Sequence, residues 1–368
     1  MSKHRPSAKP TSVSFSAILR YLCEAEVVTG LEDLAAAELR QRYGNRVRLL
    51  EPSRPGEIPF YFDGQLESLA ASRLVLAVYL VRHFPIPRPQ ALLGHQHFTE
   101  LLRQVNTVRS LHPTGTFGSF RISAAGSHSS VFQRIKQAIQ HAAGLMPHDD
   151  EADLVLRVRP AALSADGWEV LARLTPRPLS TRAWRVCDML GALNGVIAAA
   201  MVELTQPRAN DRVLNLMCGS GTLLIERLLR VPAAAAGGCD NDATALRCAQ
   251  ANLQAAGLAG AADLFIMDAT HLQMPDSCVD VILADLPWGQ LVGGHEDNQR
   301  LYPLVLREAA RVAAVGARAA FITHEIRLME HVLSDCADVW LVKQERRVFQ
   351  GGLHPRIYLL SRIEPGAR

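Results

Sequence analysis

The second half of the chain alternates short apolar runs with stretches whose apolar residues recur at helical spacing. Runs that are apolar at consecutive positions are typical of strands buried on both faces of a parallel sheet. We predict a helix at about 188–206, followed by strands at about 212–216, 235–239, 263–267, 280–284, 318–323, 339–345 and 356–361. This alternation predicts a Rossmann-like, doubly wound and mostly parallel sheet, in which ligands bind at the carboxyl ends of the strands.

The first half shows two shorter α/β patterns. In the first pattern the predicted order is strand, helix, strand, strand, helix, strand, which is the ferredoxin-like unit. These elements are predicted at 21–28, 31–43, 46–51, 57–62, 64–72 and 74–83. In the second pattern we predict helices at about 97–108 and 130–143, and strands at about 118–123, 153–159 and 168–174. The fold of these units alone indicates no function.

The chain is therefore predicted to belong to the α/β class and to contain several domains. We predict a disordered basic tail at 1–19, a ferredoxin-like domain at 20–86, a second α/β domain at 87–175, a linker at 176–187 and the Rossmann-like domain at 188–368. The tail has basic residues, prolines and serines but no apolar periodicity, which indicates disorder.

Composition and charge narrow the possible functions. A hydrophobic content of 48% can fill sizeable cores, and no apolar run approaches the roughly 20 residues of a membrane helix, so no membrane role is expected. The net charge of +3 is uneven: residues 1–187 carry 23 Lys and Arg against 16 Asp and Glu, whereas residues 188–368 carry 16 against 20. The basic first half is the better candidate for binding a nucleic-acid backbone.

The spacing of cysteine and histidine predicts neither a metal site nor a disulfide framework. The seven cysteines include no Cys-x-x-Cys pair, and the pair His95 and His97 lacks a third ligand nearby. His324 follows a predicted strand and is interpreted as a polar residue at a strand edge. We expect a cytoplasmic protein without a metal, and a monomer, because no feature of the sequence demands a dimer.

The sequence Asp285-Leu286-Pro287-Trp288 directly follows a buried apolar run at the predicted end of a strand. An exocyclic amine on a flat ring is a weak nucleophile because its lone pair is conjugated with the ring, and strong acceptors for its N–H groups improve it. Asp285 can supply one acceptor and the carbonyl of Leu286 the other, while Pro287 stiffens the turn and Trp288 offers a face for stacking. The structural alternative is a strand end with a capping aspartate and a core tryptophan.

A glycine turn follows the first predicted strand of the same domain. Gly219 and Gly221 allow the backbone to approach a ligand closely, and the helix that begins after them presents free N–H groups. Nucleotide phosphates are bound by similar turns. However, the lysine of a P-loop and the third glycine of a dinucleotide site are both absent.

Two more acidic residues follow the next two strands. Asp240 lies where a carboxylate can accept hydrogen bonds from ribose hydroxyls, and Asp268 is placed for an adenine amino group. With the glycine turn and Asp285, these strand ends correspond to four parts of S-adenosylmethionine, the predicted cofactor. The predicted cofactor-binding residues are Asn215, Met217, Cys218, Gly219, Gly221, Thr222, Asp240, Asn241, Asp268, Ala269 and Asp285.

These motifs carry a family resemblance. The sequence at 285–288 resembles the Asp/Asn-Pro-Pro-aromatic motif of amino-group methyltransferases, with Leu286 in place of the first proline. Together with Met-Cys-Gly-Ser-Gly-Thr at 217–222, it is similar to the THUMP-containing tRNA guanine-N2 methyltransferases. That family usually has Asp-Pro before Met-Cys-Gly, where this chain has Asn215-Leu216, and Asn241 stands where an apolar residue often covers the adenine.

Two segments of the first half resemble RNA-binding parts of the same family. Phe-Arg-Ile at 120–122 and Gly-Ser-His at 126–128 resemble a THUMP domain, which would occupy 87–175. The segment 179–185 resembles the Leu-x-x-Arg-x-aromatic-Arg stretch that follows such domains. The predicted RNA-binding residues are Arg121, His128, Arg134, Arg182 and Arg185. For His128, the structural alternative is an ordinary loop histidine. For the segment 179–185, it is a linker that docks two domains against each other.

The resemblance implies that the protein methylates the N2 amine of a guanosine in tRNA and that tRNA is its partner. Position 6 of the acceptor stem is the best-matched target, and position 10 is the nearest alternative. Three other functions remain open from the sequence: an RNA adenine-N6 methyltransferase, a small-molecule amine methyltransferase, and a non-catalytic RNA-binding protein with a decayed cofactor pocket.

Overall fold

The computed structural model describes residues 21–52, 54–162, 166–289, 294–349 and 352–364. The predicted tail at 1–19 lies outside the described residues. Within them the chain forms two sheets, one of eight strands and one of seven. The α/β class predicted from the sequence is confirmed.

The first sheet contains both α/β patterns of the first half. Its strands are β1 (Tyr21–Glu26), β2 (Val47–Leu49), β3 (Glu57–Phe62), β4 (Ala77–Phe84), β5 (Ser119–Ser123), β6 (Met146–Pro147), β7 (Leu154–Pro160) and β8 (Trp168–Arg173). They are arranged in the order β2-β3-β1-β4-β8-β7-β5-β6. The part β2-β3-β1-β4 is antiparallel and has the ferredoxin-like arrangement. Because β4 pairs with β8, the sheet continues across the predicted domain boundary.

Three helices pack on the apolar face of this sheet: α1 (Glu32–Tyr43), α2 (His95–Arg109) and α3 (Ser130–Ala143). The opposite face carries charged residues, and many of these are paired with one another. Arg159 on β7 donates to Glu24, Glu57 and Glu169, each at 2.5 Å. Burial raises the pKa of Glu24 to about 7, although the attraction of Arg159 acts in the opposite direction. The charge of Arg159 is therefore fully engaged within the protein.

Two predicted helices differ from the structure. The segment predicted as a helix at 64–72 forms a 3₁₀ helix at Leu66–Ala71, because six residues are too few to stabilise an α-helical nucleus. The helix predicted at 188–206 is shorter and forms α4 (Gly195–Leu204). It begins there because the side chain of Asn194 accepts a hydrogen bond from the backbone N–H of Val196 and caps the helix.

The second sheet contains the seven predicted strands, most with small shifts at their ends, whereas the strand predicted at about 318–323 already begins at Ala313. They are β9 (Arg212–Leu216), β10 (Ala235–Asp240), β11 (Asp263–Ile266), β12 (Val279–Asp285), β13 (Ala313–Thr323), β14 (Trp340–Arg347) and β15 (Arg356–Arg362). Their order is β11-β10-β9-β12-β13-β15-β14, and β15 is antiparallel to both of its neighbours. The carboxyl ends of β9 to β12 therefore meet at one edge of the sheet.

Four helices accompany this sheet: α5 (Thr222–Arg230), α6 (Ala243–Ala255), α7 (His295–Val312) and α8 (Ile326–Asp335). Strands β9 and β12 are buried along most of their length, because helices cover both faces of a doubly wound sheet.

The two sheets are joined by a shared core and by buried charges. Residues of α1, α2, α4, β9 and β12 belong to one continuous apolar cluster. Glu226 on α5 is fully buried. It accepts hydrogen bonds from Arg73, which precedes β4 of the first sheet, and from Arg182 of the linker. The helix that follows the glycine turn is thus tied directly to the first half of the chain.

The expectation of no disulfide is wrong at one pair of cysteines. The sulfurs of Cys187 and Cys248 are 2.17 Å apart, which is a bonding distance, and 61 residues separate them in the sequence. Tertiary structure brings them together: Asn252 on α6 accepts hydrogen bonds from the backbone N–H groups of Val186 and Cys187. Spacing along the chain could not indicate this pair.

None of the helices in the described parts of the chain has the length and apolar character that a membrane span requires.

Candidate active site

The glycine turn at the end of β9 has an unusual backbone. Three of its residues, Met217, Gly219 and Gly221, have positive φ angles of 46°, 53° and 80°. A Cβ atom on Gly221 would lie 3.1 Å from that of Ala249, whereas one on Gly219 would meet nothing within 4 Å. Gly221 therefore allows close packing between α5 and α6, while Gly219 leaves open space above the turn.

Cys218 and Thr222 stabilise the turn by a backbone hydrogen bond and by packing. The Cys218 N–H donates to the Cys239 carbonyl at 2.9 Å and locks the turn to β10. Burial raises the pKa of the Cys218 thiol, so this side chain is a neutral packing group. Thr222 begins α5 and is buried.

Asp240, at the carboxyl end of β10, braces the turn. Its Oδ2 accepts from the Gly219 N–H at 2.9 Å and its Oδ1 from the Asp242 N–H at 3.0 Å. The next residue, Asn241, is exposed. A carboxylate held in this way has lone pairs left for a ribose, as the sequence predicts.

Asp268 follows β11 and is exposed beside the buried Ala269. Its Oδ1 accepts from both the backbone N–H and the hydroxyl of Thr270, each at 2.8 Å. These hydrogen bonds lower the pKa of the Asp268 carboxyl. Asp268 therefore presents a fixed, ionised carboxylate with one oxygen available to a ligand.

Asn215 lies beneath the turn and is almost fully buried. Its amide nitrogen donates to the Leu283 carbonyl of β12 at 3.0 Å and to the Leu216 carbonyl at 3.2 Å. Its oxygen is buried without a partner among the described residues. A buried unpaired acceptor is costly unless a ligand satisfies it, which suits a cofactor amine.

The Asp285–Trp288 turn closes the other side of the site. The Trp288 indole N–H donates to Asp285 Oδ1 at 3.1 Å. The Leu286 N–H donates to the Ile322 carbonyl of β13 at 3.0 Å, and Leu286 itself is buried. No hydrogen bond made by the described residues ends on the Leu286 carbonyl. Asp285 Oδ2 and this carbonyl are the two acceptors that the sequence predicts for an amine.

The Asp285 carboxyl is partly accessible at the mouth of the site, yet it is surrounded by protein. Burial raises its pKa from 3.8 to about 7, and the hydrogen bond from Trp288 acts in the opposite direction. Among the described residues, no positively charged group counteracts this rise in pKa. A perturbed carboxyl in a cleft is typical of a functional site.

Three residues that the sequence analysis missed support this turn from below. Asn298 and Tyr302 on α7 both donate to the Pro287 carbonyl, and the Tyr302 hydroxyl also pairs with that of Thr323. All three are fully buried. The i, i+4 spacing of Asn298 and Tyr302, on a helix that follows the motif, was the only signal in the sequence.

His324 also lies closer to the site than expected. Its ring stacks on that of Trp288, with centroids 6.2 Å apart and an interplanar angle of 30°. The interpretation of His324 as a polar residue at a strand edge did not include this contact. The contact forms because β12 pairs with β13, which places the two residues that follow these strands side by side.

The predicted RNA-binding residues fall into two groups. His128 and Arg134 are exposed, and Arg121 on β5 is half-buried. Arg182 is buried, and its guanidinium donates to Glu226 and to the carbonyls of Leu179, Arg73 and Gly195. The prediction that Arg182 binds RNA is therefore wrong, because all of these donors are directed into the protein.

Arg185 is also engaged within the protein. It donates to the Leu193 carbonyl at 2.7 Å and to the Thr222 hydroxyl at 2.8 Å, and it lies 5.6 Å from the centre of the Trp184 ring. Burial lowers its pKa. The structure supports the alternative that this linker docks two parts of the chain.

No group of three His, Cys, Asp or Glu side chains among the described residues is arranged to hold a metal ion.

The fold and the strand ends define a methyltransferase that uses S-adenosylmethionine. Within the described parts of the chain, the open space at Gly219, the Asn215 oxygen that has no partner, and the carboxylates of Asp240 and Asp268 fit the methionine and adenosine parts of this cofactor. Residues 182–356 match the model of the RMKL-like methyltransferase domain.

Comparisons with individual proteins confirm the family resemblance predicted from the motifs. The chain is 29% identical to a tRNA (guanine(6)-N2)-methyltransferase of Thermus thermophilus over 92% of this chain and 99% of that protein. A U6 snRNA (guanine-N(2))-methyltransferase of Bos taurus, THUMPD2, is 33% identical over 40% of this chain and 28% of its own length.

Solved structures agree with the fold. The crystal structure of TrmN from Thermus thermophilus has a TM-score of 0.71 and 26% identity, and the match covers 94% of this chain and all of that one. The structure of SMU.472 in complex with SAH has a TM-score of 0.65 and 17% identity over 95% of this chain and 98% of that one, which supports the fold alone.

Proposed function

We propose that this protein transfers a methyl group from S-adenosylmethionine to the exocyclic N2 amine of a guanosine in tRNA. The observation that carries the proposal is a pair of acceptors at the end of β12 that accept no hydrogen bond from the described residues, Asp285 Oδ2 and the Leu286 carbonyl, beside a stacking ring. An exocyclic amine has two N–H groups, and these two acceptors can hold both.

Each residue of the motif has a part in this reaction. Trp288 would stack on a guanine that has left its own helix, which compensates for lost base stacking. Asp285 and the Leu286 carbonyl would direct the nitrogen lone pair towards the methyl group, because both N–H bonds are then fixed. Asp285 also stabilises the positive charge that develops on the nitrogen.

The cofactor, when bound, supplies the electrophilic methyl group on its sulfonium. The turn at 217–222 would hold its methionine part, Asp240 its ribose and Asp268 its adenine. After transfer the nitrogen loses a proton to Asp285 or to water. Asp285 is suited to receive it, since burial already raises the pKa of this carboxyl to about 7.

We infer that the target is position 6 of the acceptor stem. The Thermus thermophilus relative, which this chain covers almost completely, carries that position in its name. We assign residues 87–175 to a THUMP domain, with Arg121, His128 and Arg134 as its RNA-binding residues. The 87–175 domain shares its sheet with the 20–86 domain, which the buried junction of Arg73, Arg182 and Glu226 ties to α5, and this supports a fixed distance to the methyl-transfer site.

We further propose that the enzyme acts as a monomer in the cytoplasm. We also propose the remaining domain boundaries given above: a tail at 1–19, a ferredoxin-like domain at 20–86, a linker at 176–187 and a Rossmann-like domain at 188–368. A single species of 40.2 kDa in solution is expected from sedimentation, and a dimer would contradict it.

The test is methylation of an unmodified tRNA transcript with isotopically labelled S-adenosylmethionine, followed by digestion and identification of the nucleoside. N2-methylguanosine is expected, and a transcript with adenosine at position 6 should abolish it. Methyladenosine would instead identify an adenine-N6 methyltransferase. Methylation that persists after replacement of position 6 but is lost after replacement of position 10 would reject the proposed position.

A matched pair of proteins completes the test. Asp285→Ala should bind S-adenosylhomocysteine as the wild type does but fail to methylate. Label incorporation by this variant at the wild-type rate would reject the role of Asp285.

A further inference from the structure

The carbonyl oxygen of Pro287 accepts two hydrogen bonds from one face of α7. The Asn298 amide donates to it at 3.0 Å and the Tyr302 hydroxyl at 2.6 Å. The two residues are four apart, so their side chains lie one helical turn from each other on the same face. One backbone carbonyl is thus held by two separate side chains.

This contact is isolated from water. Asn298, Tyr302 and Thr323 each have no exposed surface, and the Tyr302 and Thr323 hydroxyls are 2.6 Å apart. Burial makes each hydrogen bond stronger and makes an unpaired group costly. The position of the Pro287 carbonyl is therefore strongly determined by α7 and β13.

The Pro287 carbonyl belongs to the peptide that connects Pro287 to Trp288. Its orientation limits where the Trp288 ring can lie. The same ring donates to Asp285 Oδ1, so a change at this peptide also alters the direction of the free Asp285 Oδ2. On the other side of the turn, the Leu286 N–H is fixed to the Ile322 carbonyl at 3.0 Å. The turn is anchored at both ends by neighbouring elements.

We propose that Asn298 and Tyr302 are positioning residues for methyl transfer, which hold the Pro287–Trp288 peptide so that both acceptors and the stacking ring meet one substrate amine. Neither side chain needs to touch the substrate. They act through the turn, because a displacement of about 1 Å at the reacting groups can reduce a rate roughly 100-fold. The proposal rests on the proposed function, since it assigns these residues to that same site.

Two substitutions remove the hydrogen bonds and preserve the packing. Tyr302→Phe keeps the ring and removes the hydroxyl, and Asn298→Leu keeps a side chain of similar shape without a donor. We expect either variant to lower kcat roughly tenfold and the double variant up to about 100-fold, with little change in KM for tRNA or in the affinity for S-adenosylhomocysteine.

Tyr79→Phe is the matched control. Tyr79 lies on β4 of the first sheet, is 2% exposed, and donates its hydroxyl to Glu26 at 3.1 Å. It therefore loses a buried hydroxyl hydrogen bond as Tyr302→Phe does, but far from the turn. A similar loss of stability with unchanged kcat is expected for this control.

A readout without catalysis separates this inference from the proposed function. The chain has four tryptophans, and in protein labelled with 5-fluorotryptophan the Trp288 signal is identified in the ¹⁹F spectrum by its absence from Trp288→Phe. In the Asn298 and Tyr302 variants we expect the Trp288 signal to shift or broaden while the other three stay in place. In Tyr79→Phe it should not move.

The outcomes are distinct. If the wild type does not methylate guanosine, the proposed function fails, whereas the Trp288 signal still decides whether α7 positions the turn. If the single variants fold and leave both kcat and the Trp288 signal unchanged, the positioning role is rejected. If the double variant does not fold, the single variants supply the same comparison.

Discussion

Polar residues at the strand ends of the second sheet differ from several arginines of the first half. These arginines make most of their possible hydrogen bonds within the protein, whereas the strand-end residues make few. Among the residues that the structure describes, the Asp285 carboxyl accepts one side-chain hydrogen bond, and the buried oxygen of Asn215 has no partner. Arg159, by contrast, binds three carboxylates, and Arg182 donates to one carboxylate and three carbonyls.

The contrast teaches that a charged residue is available to a ligand only where the protein itself leaves its donors or acceptors unused. The first half has the larger excess of basic residues, yet several of its arginines stabilise the fold. The second half has fewer basic than acidic residues, but its polar groups at the strand ends retain free acceptors. Net charge counts residues, whereas binding depends on donors and acceptors that remain available.

The largest effect on activity is expected at Asp285, which has an acceptor oxygen available to the substrate. Asp285→Ala should lower the rate of methyl transfer at least 10²- to 10³-fold, because it removes both an acceptor for the amine and the charge that stabilises the transition state. Single-turnover rates with labelled cofactor measure this. Calorimetry with S-adenosylhomocysteine is the control and should give wild-type affinity. A large loss of affinity would mean that Asp285 mainly holds the cofactor.

The second effect concerns a fully satisfied group. Arg182→Ala leaves Glu226 buried with Arg73 as its remaining charged partner, so the free energy of unfolding should fall by about 3–5 kcal/mol. Denaturant unfolding measures it. The exposed Arg134→Ala is the control and should leave stability unchanged. Equal stability of the two variants would contradict the contrast between buried and exposed arginines.

The third effect is a dependence on pH. Methyl transfer needs the ionised Asp285, so kcat/KM for tRNA should fall about tenfold per pH unit below a pKa near 7. Because the folded state raises this pKa above its usual 3.8, the stability that Asp285 contributes is full below pH 3.8 and is lost as the pH rises through about 7. Asp285→Asn should therefore gain stability relative to the wild type above pH 7. A flat pH profile would show that the site does not perturb Asp285.

The smallest effect is expected at an exposed basic residue. Arg134→Ala should weaken tRNA binding several-fold and reduce the slope of log affinity against log salt by about 1, because one phosphate contact is lost. Binding titrations at several salt concentrations measure it. Unchanged affinity and slope would place the RNA elsewhere than on this helix.

Local patterns in the sequence were sufficient for most of the architecture. The seven strands of the second sheet and the glycine turn depend on residues that are neighbours in the chain, since burial on both faces demands apolar runs and a sharp turn demands glycine. The prediction was poorer at 64–72 and 188–194, where short segments take their conformation from capping and from neighbouring elements.

The sequence by itself determined the class of fold, the order of the strand-end residues and the kind of cofactor, because each depends on local periodicity and on short motifs. Only the tertiary structure decided which distant residues contact each other. Arg182 is directed to Glu226, 44 residues away, Cys187 meets Cys248, and Tyr302 reaches back to Pro287. Long-range contacts of this kind are formed by packing between elements, and no residue's own neighbours in the chain specify them.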